Sequence, residues 1–485
     1  MVGAGPGGSS LAALLSRAGA STLVIDKAAF PRDKVCGDAL TPRALYWLEV
    51  LGCLDEVIAA SRSYLTEADL FVNGEHVLTG TYPVGGIFPG FCIVLKRKVL
   101  DHILIRYAIS KGAALRPGCI VKTLRWEPDG VVVEGVCNNV AVSYKGRVIV
   151  GADGANSMVS RALGNRIMEG VTAVSMRGYL EGAGIEGPGM QVYFEEPYFP
   201  GYGWIFADDD GVANIGIGLA VDGDFPSRGS VRKIYADFVE ARLKDTLRGA
   251  REVGKPKGGW SSFFRPGRMV TDHVVLIGDA ANLGDPMNGG GIHMAMESAH
   301  IAAPTILQAL QEKDYSAASL GRYETAWNQV DELDWRVGEL FLTIAKNSEM
   351  REYWLYLLKV FTGLARNDPA LRELVGGLLG GATPARSAIS PATWFQVAPT
   401  SPELWLSAIA PEGKDGVRSL APEAASASRL ALKAARAILQ RPLPTVGWAV
   451  EILTRLTGIA DSYVRTEFPT SSAAPARAAA ASWRI

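Results

Sequence analysis

The chain has 485 residues, of which 48% are hydrophobic and 20% are charged. This length exceeds what one hydrophobic core normally serves, so we expect a globular protein of two or three domains. The formal net charge is only −1, which argues against a protein that binds nucleic acid through a broad basic surface. No run of about 18 uncharged apolar residues predicts a membrane-spanning helix, and no secretory signal is visible.

The cysteines contain no CxxC pair and are odd in number: Cys36, Cys53, Cys92, Cys119 and Cys137. This pattern favours a reduced, cytoplasmic setting without structural disulfides. We therefore expect a cytoplasmic protein, and peripheral contact with a membrane surface stays open.

The first 26 residues read as the end of a strand, a glycine turn, an apolar helix and a second strand that ends in an acid. Gly3, Gly5 and Gly8 occupy the three glycine positions of the dinucleotide-binding fingerprint. In that motif the helix N-terminus faces a pyrophosphate, and an acid about 20 residues on, here Asp26, accepts a ribose hydroxyl. A glycine turn alone can be purely structural, but the complete strand–helix–strand context favours dinucleotide binding.

Only Met1 and Val2 precede the first glycine. The first strand of such a unit is usually central, and strands are typically about five residues long. We therefore expect that part of this strand lies upstream of Met1 or has been lost. Such a loss would weaken the centre of the sheet and the retention of the cofactor.

Local signals then predict elements as far as residue 150. Thr41 is a typical N-cap followed by a proline at the first helical position, and Gly52 ends that helix. Further predicted elements are a loop at 28–40, short strands over 66–95, a helix over 97–111, and strands near 119–125, 130–136 and 141–150.

The pattern changes to longer strands after residue 170. These strands are predicted at Val171–Tyr179, Met190–Phe194, Tyr202–Phe206 and Val212–Leu219. A buried strand over 273–277 then leads into another glycine-rich turn, and from residue 300 the chain is mainly helical.

Two acidic turns follow predicted strands, with Asp153 in segment 151–157 and Asp279 in segment 278–281. Each acid stands at the carboxyl end of a strand, where it can accept a ribose or ribityl hydroxyl or orient a turn beside a pyrophosphate. Alone, either is most simply an ordinary aspartate turn. Together with the first fingerprint, they resemble the FAD-dependent reductases and hydroxylases with the para-hydroxybenzoate hydroxylase-type fold. The resemblance covers about residues 2–323 and implies that Asp279 and Arg97 contact FAD.

Finer motifs resemble one branch of that superfamily, the geranylgeranyl reductase family. Segment 34–38, Lys-Val-Cys-Gly-Asp, is similar to the family's Lys-x-Cys-Gly-Asp. Segment 200–206, Pro-Gly-Tyr-Gly-Trp-Ile-Phe, and the later Gly-Ile-Gly resemble its Tyr-x-Trp-x-Phe-Pro and Gly-x-Gly signature, which lines the isoprenoid site. The chain departs from the family at Ala207, where proline is usual, and at Gly290, where many members carry glutamate. These departures concern the particular substrate more than the fold.

Tyr202, Trp204 and Phe206 alternate along one predicted strand, so their side chains face the same side. Such an aromatic wall suits an apolar chain, since burying each methylene stabilises binding by about 0.8 kcal/mol. On spacing alone the three rings could equally form sheet core. The adjoining Gly-x-Gly and the flavin motifs favour a substrate site.

Two residues are candidates for chemistry, and neither is compelling. Cys36 matches in position a cysteine that the family places near the flavin, and an incidental buried cysteine is the alternative. Tyr202 is the other candidate proton donor. His293 and His300 share a helix face, but no third ligand stands nearby, so no metal site is expected.

Segment 285–291 precedes a helix predicted to begin near Ile292. Backbone N–H groups at such a helix N-terminus can stabilise negative charge on a flavin. The predicted cofactor contacts are therefore Gly3, Gly5, Gly8, Asp26, Lys27, Cys36, Gly37, Arg97, Asp153, Gly278, Asp279, Gly289, Gly290, Gly291 and Ile292. The predicted substrate contacts are Tyr202, Trp204, Phe206, Gly216 and Gly218.

The predicted fold class is α/β, with a Rossmann-like FAD-binding domain, an inserted β-sheet substrate domain and a C-terminal helical region. The FAD-binding domain is expected at 1–65, 96–170 and 268–325, the substrate sheet at 66–95 and 171–267, the helical region at 326–468, and a disordered tail at 469–485. Residues 353–358, Tyr-Trp-Leu-Tyr-Leu-Leu, are too apolar for a fully solvated helix. Core packing is the default for them, and a lid, a subunit contact or a membrane interface are the alternatives.

The sequence thus predicts an FAD-dependent reductase of carbon–carbon double bonds in a prenyl chain, with hydride from flavin N5. NADPH and reduced ferredoxin both stay open as the electron donor. The nearest alternative is an FAD monooxygenase or halogenase on the same scaffold, although the Trp-x-Trp-x-Ile-Pro halogenase motif is absent from the sequence. A non-catalytic prenyl-lipid-binding protein is an alternative of another class.

Overall fold

The computed structural model of the protein describes residues 1–485 apart from 166–170, 183–184, 186, 188, 209–210, 223–227, 264–267, 348–349, 391–441 and 468–485. The tail predicted at 469–485 lies outside the described residues. Among the residues that are described, no helix combines the length and apolar character that crossing a membrane requires.

The strands of the described chain are β1 (Leu23–Ile25), β2 (Ala39–Leu40), β3 (Glu67–Val72), β4 (Glu75–Thr81), β5 (Ile93–Val94), β6 (Ala114–Arg116), β7 (Cys119–Glu127), β8 (Gly130–Cys137), β9 (Val140–Gly146), β10 (Ile149–Gly151), β11 (Val171–Glu181), β12 (Met190–Phe194), β13 (Tyr202–Ala207), β14 (Val212–Asp222), β15 (Arg251–Ser262), β16 (Val270–Thr271) and β17 (Val274–Leu276).

The helices are α1 (Pro6–Arg17), α2 (Pro42–Leu51), α3 (Leu54–Ala60), α4 (Arg97–Ser110), α5 (Met158–Ala162), α6 (Arg228–Lys244), α7 (Gly291–Glu312), α8 (Ala317–Leu320), α9 (Arg322–Val330), α10 (Glu332–Ala345), α11 (Arg351–Asn367), α12 (Pro369–Leu379) and α13 (Pro442–Glu467). Short 3₁₀ turns cover Gly278–Ala281 and Ala385–Ile389.

The first glycine turn lies at the centre of a parallel sheet. β1 pairs with β6, and β10 pairs with β17. Val2 joins the two pairs, because it bridges in parallel to both Ile25 and Gly151. A single residue therefore holds the central strand position, directly before the turn that leads into α1.

A seven-stranded sheet forms the second layer, in the order β15-β11-β14-β13-β12-β3-β4. All neighbours are antiparallel except β12 and β3, which run parallel. The apolar side chains on one face, including Ile205, Ile215 and Ile217, pack against Tyr235 and Phe238 of α6. The opposite face is left for the site described below.

The C-terminal helices cover the β3–β4 edge of this sheet. Leu355 and Leu364 of α11 and Leu371 of α12 share a buried cluster with Leu70 and Leu78. The apolar segment 353–358 thus lies in the first half of α11, where Leu355 packs against the sheet.

The sequence patterns located most elements but missed several, of which β15 and α6 are the longest. The N-cap at Thr41 is confirmed, since its hydroxyl accepts a hydrogen bond from the Ala44 amide, and Gly52 ends α2 in a left-handed conformation. β15 was missed because its sequence, Arg-Glu-Val-Gly-Lys-Pro-Lys-Gly-Gly-Trp-Ser-Ser, shows no alternation of apolar residues. α6 was also missed. β12 has the predicted bounds, and β11, β13 and β14 extend one to three residues beyond theirs. The strand predicted over 141–150 is two strands, β9 and β10.

The expectation of no structural disulfide is wrong. Cys119 and Cys137 face each other across the β7–β8 hairpin and form a disulfide. The two residues are 18 apart in sequence, and only the register of the hairpin brings them together. Cys36, Cys53 and Cys92 are free thiols.

Candidate functional site

A large cavity of about 700 Å³ is lined by residues of both the parallel sheet and the seven-stranded sheet. The predicted site residues that line it are Gly3, Gly5, Asp26, Lys27, Cys36, Gly37, Arg97, Asp153, Tyr202, Trp204, Phe206, Gly218, Gly278, Asp279, Gly289, Gly290, Gly291 and Ile292. Gly8 and Gly216, which were also predicted to make contacts, stand behind this wall. A Cβ at Gly8 would lie 2.0 Å from the Gly3 carbonyl oxygen, and one at Gly216 would lie 2.2 Å from Cζ2 of Trp204.

The first glycine turn is shaped by backbone packing. Gly3 has a φ of +101°, and an added Cβ would lie 2.2 Å from the Ala152 carbonyl oxygen. Only glycine fits there. Gly5 differs, because an added Cβ would meet within the protein only the Arg32 guanidinium, at 3.8 Å. The turn thus presents an open cradle at Gly5, just before the N-terminus of α1.

Two of the predicted acids hold backbone in place. The Asp26 carboxylate accepts hydrogen bonds from the amides of Ala4 and Ala28, both at 2.8 Å. The Asp153 carboxylate accepts from the Ser157 hydroxyl at 2.5 Å and from the Met158 amide at 2.7 Å, at the start of α5. Burial raises the pKa of Asp153. Of the two roles predicted for Asp153, the observed bonds correspond to orienting a turn.

The residues present fit an FAD molecule. The cavity wall contains four cationic side chains, which suit a diphosphate: Lys27, Arg32, Lys34 and Arg97. The Arg97 guanidinium is held by both carboxylate oxygens of Asp101, at 2.8 and 2.9 Å. Burial lowers the pKa of Lys34, an effect that the nearby Asp279 carboxylate opposes.

A hydrogen-bond network ties the 34–38 loop to the aromatic strand. Asn214 is its centre: its Nδ2 donates to the Cys36 carbonyl oxygen and to Oδ2 of Asp38, both at 2.8 Å, and its Oδ1 accepts from Nε1 of Trp204 at 2.9 Å. Tyr179 also donates to the Asp38 carboxyl, at 2.6 Å. The network fixes the loop and Trp204 relative to each other.

Burial dominates the acid–base properties of this loop. Burial raises the pKa of the Asp38 carboxyl despite the hydrogen bonds that it accepts. Burial also raises the pKa of the Cys36 thiol, and the neighbouring Arg97 guanidinium acts in the opposite direction. At neutral pH Cys36 is therefore a thiol, and it is a weak acid.

The three aromatic residues of β13 line the cavity together, as their alternation predicts. Trp204 and Phe206 are stacked with ring centroids 6.2 Å apart, and Tyr202 meets Trp204 edge-on at 6.0 Å. The Tyr202 hydroxyl donates to the Asn288 carbonyl oxygen at 2.8 Å. The surrounding wall is apolar: Ala68, Met190, Val192, Phe194, Ala220, Leu342 and Leu379.

α7 begins at the cavity, one residue before the predicted start. Segment 289–291 lines the cavity at this N-terminus. The N–H groups of Gly289 and Gly290 already donate to the Asp285 carbonyl oxygen and to Oδ1 of Asn288, at 2.9 and 2.7 Å. The N–H groups that a helix N-terminus offers to a negatively charged ligand therefore begin at Gly291. Gly289 also approaches the aromatic wall, because an added Cβ would lie 3.1 Å from the Tyr202 hydroxyl oxygen.

Asn214 was missed from the sequence although a signal was present. It alternates with Gly216 and Gly218 along β14, so it faces the same side as the Gly-x-Gly pair. A polar side chain among the apolar residues of a buried strand needs hydrogen-bond partners, and this requirement marks it as a candidate.

We expect Asn214→Leu to lower the free energy of unfolding by about 3 kcal/mol, because the Trp204 Nε1–H and the Asp38 carboxyl would each lose a buried partner. Chemical denaturation measures this change. The 34–38 loop should also become more accessible to proteases. A loss below about 1 kcal/mol would show that the network is not what joins the loop to the sheet.

Comparison with known proteins gives three consistent likenesses. The family model described as FAD binding domain matches residues 1–213. A menaquinone reductase of Mycolicibacterium smegmatis is 32% identical over 328 residues, which cover 66% of this chain and 78% of that protein. A digeranylgeranylglycerophospholipid reductase of Methanococcus vannielii is 30% identical over 344 residues, covering 68% of this chain and 81% of that protein.

A solved structure shares the fold. It is a geranylgeranyl bacteriochlorophyll reductase-like protein from Thermoplasma acidophilum, with a TM-score of 0.64 and 21% sequence identity. The alignment covers 87% of this chain and 98% of that one.

Proposed function

Because this chain belongs to the geranylgeranyl reductase family of FAD-dependent oxidoreductases, we propose that it reduces carbon–carbon double bonds in the prenyl chain of a lipid. FAD is its cofactor. The observation that carries the proposal is a single cavity whose wall joins the glycine cradle at Gly5 to the aromatic wall at Tyr202, Trp204 and Phe206.

The bound flavin, once reduced, supplies a hydride at N5. The protein's own part is to bind, orient and exclude water. The aromatic wall and its aliphatic neighbours offer a prenyl chain an apolar surface, where each buried methylene contributes about 0.8 kcal/mol. Arg97, held by Asp101, and the N-terminus of α7 offer positive potential to the cofactor.

The relatives support a prenyl lipid as the substrate class, since one is named for a digeranylgeranyl lipid and the other for menaquinone, a quinone with a prenyl chain. Both lipids belong to this substrate class, and NADPH and reduced ferredoxin are the candidate electron donors.

Anaerobic turnover tests the proposal. The enzyme, reduced by dithionite, is incubated with geranylgeranyl diphosphate, a digeranylgeranyl glycerophospholipid or menaquinone, and the products are analysed by mass spectrometry. A gain of two hydrogen atoms per reduced bond is expected. An added oxygen or halogen in the presence of air would support a monooxygenase or halogenase instead. Lipid binding with no product under any condition would support a non-catalytic lipid-binding protein.

A further inference from the structure

The first turn of α7 carries a histidine in the wall of the main cavity. His293 is 1% exposed, and its two ring nitrogens have different neighbours. Nδ1 lies 3.4 Å from the Thr41 hydroxyl oxygen, and Nε2 lies 3.4 Å from Oδ2 of Asp285. Thr41 lines the same cavity. The ring has room because residue 290 is a glycine: an added Cβ there would lie 2.1 Å from Cε1 of His293.

A second, much smaller cavity lies on the other side of this wall. Its volume of about 20 Å³ is enough for a water molecule. Pro286 and Met287 line both cavities, so the two share a wall. Asp285 lines the small cavity and His293 the large one, so the Asp285–His293 pair spans the wall between them.

The small cavity is polar and rich in ionisable groups. Arg43, Asp285, Asp331 and Asp334 line it. Arg43 pairs with Asp331 at 2.5 Å and with Glu297 at 2.6 Å. Within the described chain, Nε of Arg43 and Oδ2 of Asp331 are buried without a hydrogen-bond partner. Buried polar atoms of this kind normally bond to ordered water.

We propose that His293 is the acid that supplies the proton for alkene reduction, and that Asp285 and the water-sized cavity behind it replace that proton from solvent. The inference rests on the proposed function, since it assigns the second hydrogen of the same reaction.

As the carbon–carbon π bond breaks, one carbon receives the hydride with its two electrons, and the other forms a C–H bond with a proton. The Thr41 hydroxyl gives up that proton while it takes the Nδ1 proton of the His293 imidazolium. The N–H electron pair stays on the ring, which becomes neutral. Asp285 is a positioning residue, because it acts on the substrate only through His293.

The other candidates in the cavity are poorer acids. The Tyr202 hydroxyl proton is committed to the Asn288 carbonyl oxygen, and burial raises the pKa of Tyr202 to about 12. Burial raises the pKa of the Cys36 thiol as well. Neither side chain lines the small polar cavity that Asp285 lines.

The charges around His293 agree with a transient imidazolium. Burial lowers the pKa of His293 and the Arg43 guanidinium lowers it further, while the Asp285 and Asp331 carboxylates raise it. The protonated ring is therefore a strong acid that depends on its carboxylate neighbours. Burial, together with the Glu297 carboxylate, raises the pKa of Asp331, and the Arg43 guanidinium lowers it.

The test compares His293→Gln with a matched control, His300→Gln, on the same helix. His300 is half-buried, bonds through Nδ1 to the Met296 carbonyl oxygen at 2.8 Å, and does not line either cavity. Each variant is loaded with FAD, reduced anaerobically with dithionite and mixed with the prenyl lipid that the wild type turns over. FAD content and the rate of flavin reduction report on folding and cofactor binding.

We expect His293→Gln to slow formation of the reduced lipid about 100-fold, the lower end for loss of a general acid, and His300→Gln to leave the rate within about twofold. The wild-type rate should fall as pH rises through the apparent pKa of the imidazolium, and the His293→Gln rate should not follow that profile. Thr41→Val keeps the shape of the side chain but removes the hydroxyl group, so it should slow the same step. Thr41→Ser keeps the hydroxyl group, so its rate should stay near that of the wild type.

A readout independent of turnover is NMR titration of isotope-labelled histidine, in a protein with only five histidines. Asp285→Asn should lower the pKa of His293 and leave that of His300 unchanged. If FAD-loaded His293→Gln formed product at the wild-type rate, the role of His293 as the acid would be wrong, and the proposed reductase activity would still stand. A wild-type enzyme that binds FAD but reduces no prenyl lipid would overturn the proposed function instead.

Discussion

Gly5→Ala is expected to yield a folded protein that binds FAD about 100-fold more weakly, a loss of roughly 2.7 kcal/mol. Within the protein, the added Cβ would meet only the Arg32 guanidinium, at an ordinary contact distance of 3.8 Å. It would, however, project into the cavity at the point where the backbone must approach a pyrophosphate. Fluorescence titration of the apoprotein with FAD measures the affinity, and thermal unfolding of the apoprotein measures the fold.

The neighbouring glycines provide the matched comparison. At Gly3 an alanine Cβ would lie 2.2 Å from the Ala152 carbonyl oxygen, and at Gly8 it would lie 2.0 Å from the Gly3 carbonyl oxygen. Gly3→Ala and Gly8→Ala should therefore destabilise the apoprotein itself, by more than about 3 kcal/mol. If Gly5→Ala retained FAD as tightly as the wild type, the glycine turn would not be the site of the pyrophosphate.

Trp204→Ala is expected to lower kcat/KM for the prenyl lipid about 100-fold while the protein keeps its FAD. A tryptophan side chain buries about 150–250 Å², and at about 25 cal/mol per Å² the part that faces the cavity accounts for roughly 2–3 kcal/mol of lipid binding. Steady-state turnover under anaerobic conditions and the flavin absorbance of the purified variant measure the two quantities. Trp126→Ala is the control, because Trp126 is 40% exposed on β7 and does not line the cavity.

Trp204 is also a buried packing residue, so a second variant separates lipid binding from stability. Gly218 lines the cavity, and an added Cβ would approach only Cζ3 of Trp204, at 3.8 Å. Gly218→Leu should therefore fit the protein, occupy the space of the prenyl chain and block turnover with FAD still bound. Loss of FAD in both variants would mean that the aromatic wall belongs to the flavin site. Unchanged turnover in both variants would show that the aromatic wall does not contact the substrate.

Much of the fold could be predicted because its signals are local. The cap at Thr41 and the left-handed glycine at Gly52 define α2 without reference to the rest of the chain. The alternation in β13 likewise settles which side chains share a face. β15 shows the limit of such signals: it pairs with β11 through backbone hydrogen bonds, and its glycines, lysines and proline carry no strand pattern.

The sequence by itself determined that this protein has a glycine turn suited to a dinucleotide and a strand with an aromatic face, because both follow from backbone geometry over a few residues. Only the tertiary structure decided which distant side chains meet. Asn214 reaches Cys36 across 178 residues, and Thr41 reaches His293 across 252. The Cys119–Cys137 disulfide likewise depends on the register of one hairpin. Such contacts depend on how sheets and helices pack, and the spacing of residues along the sequence does not predict that packing.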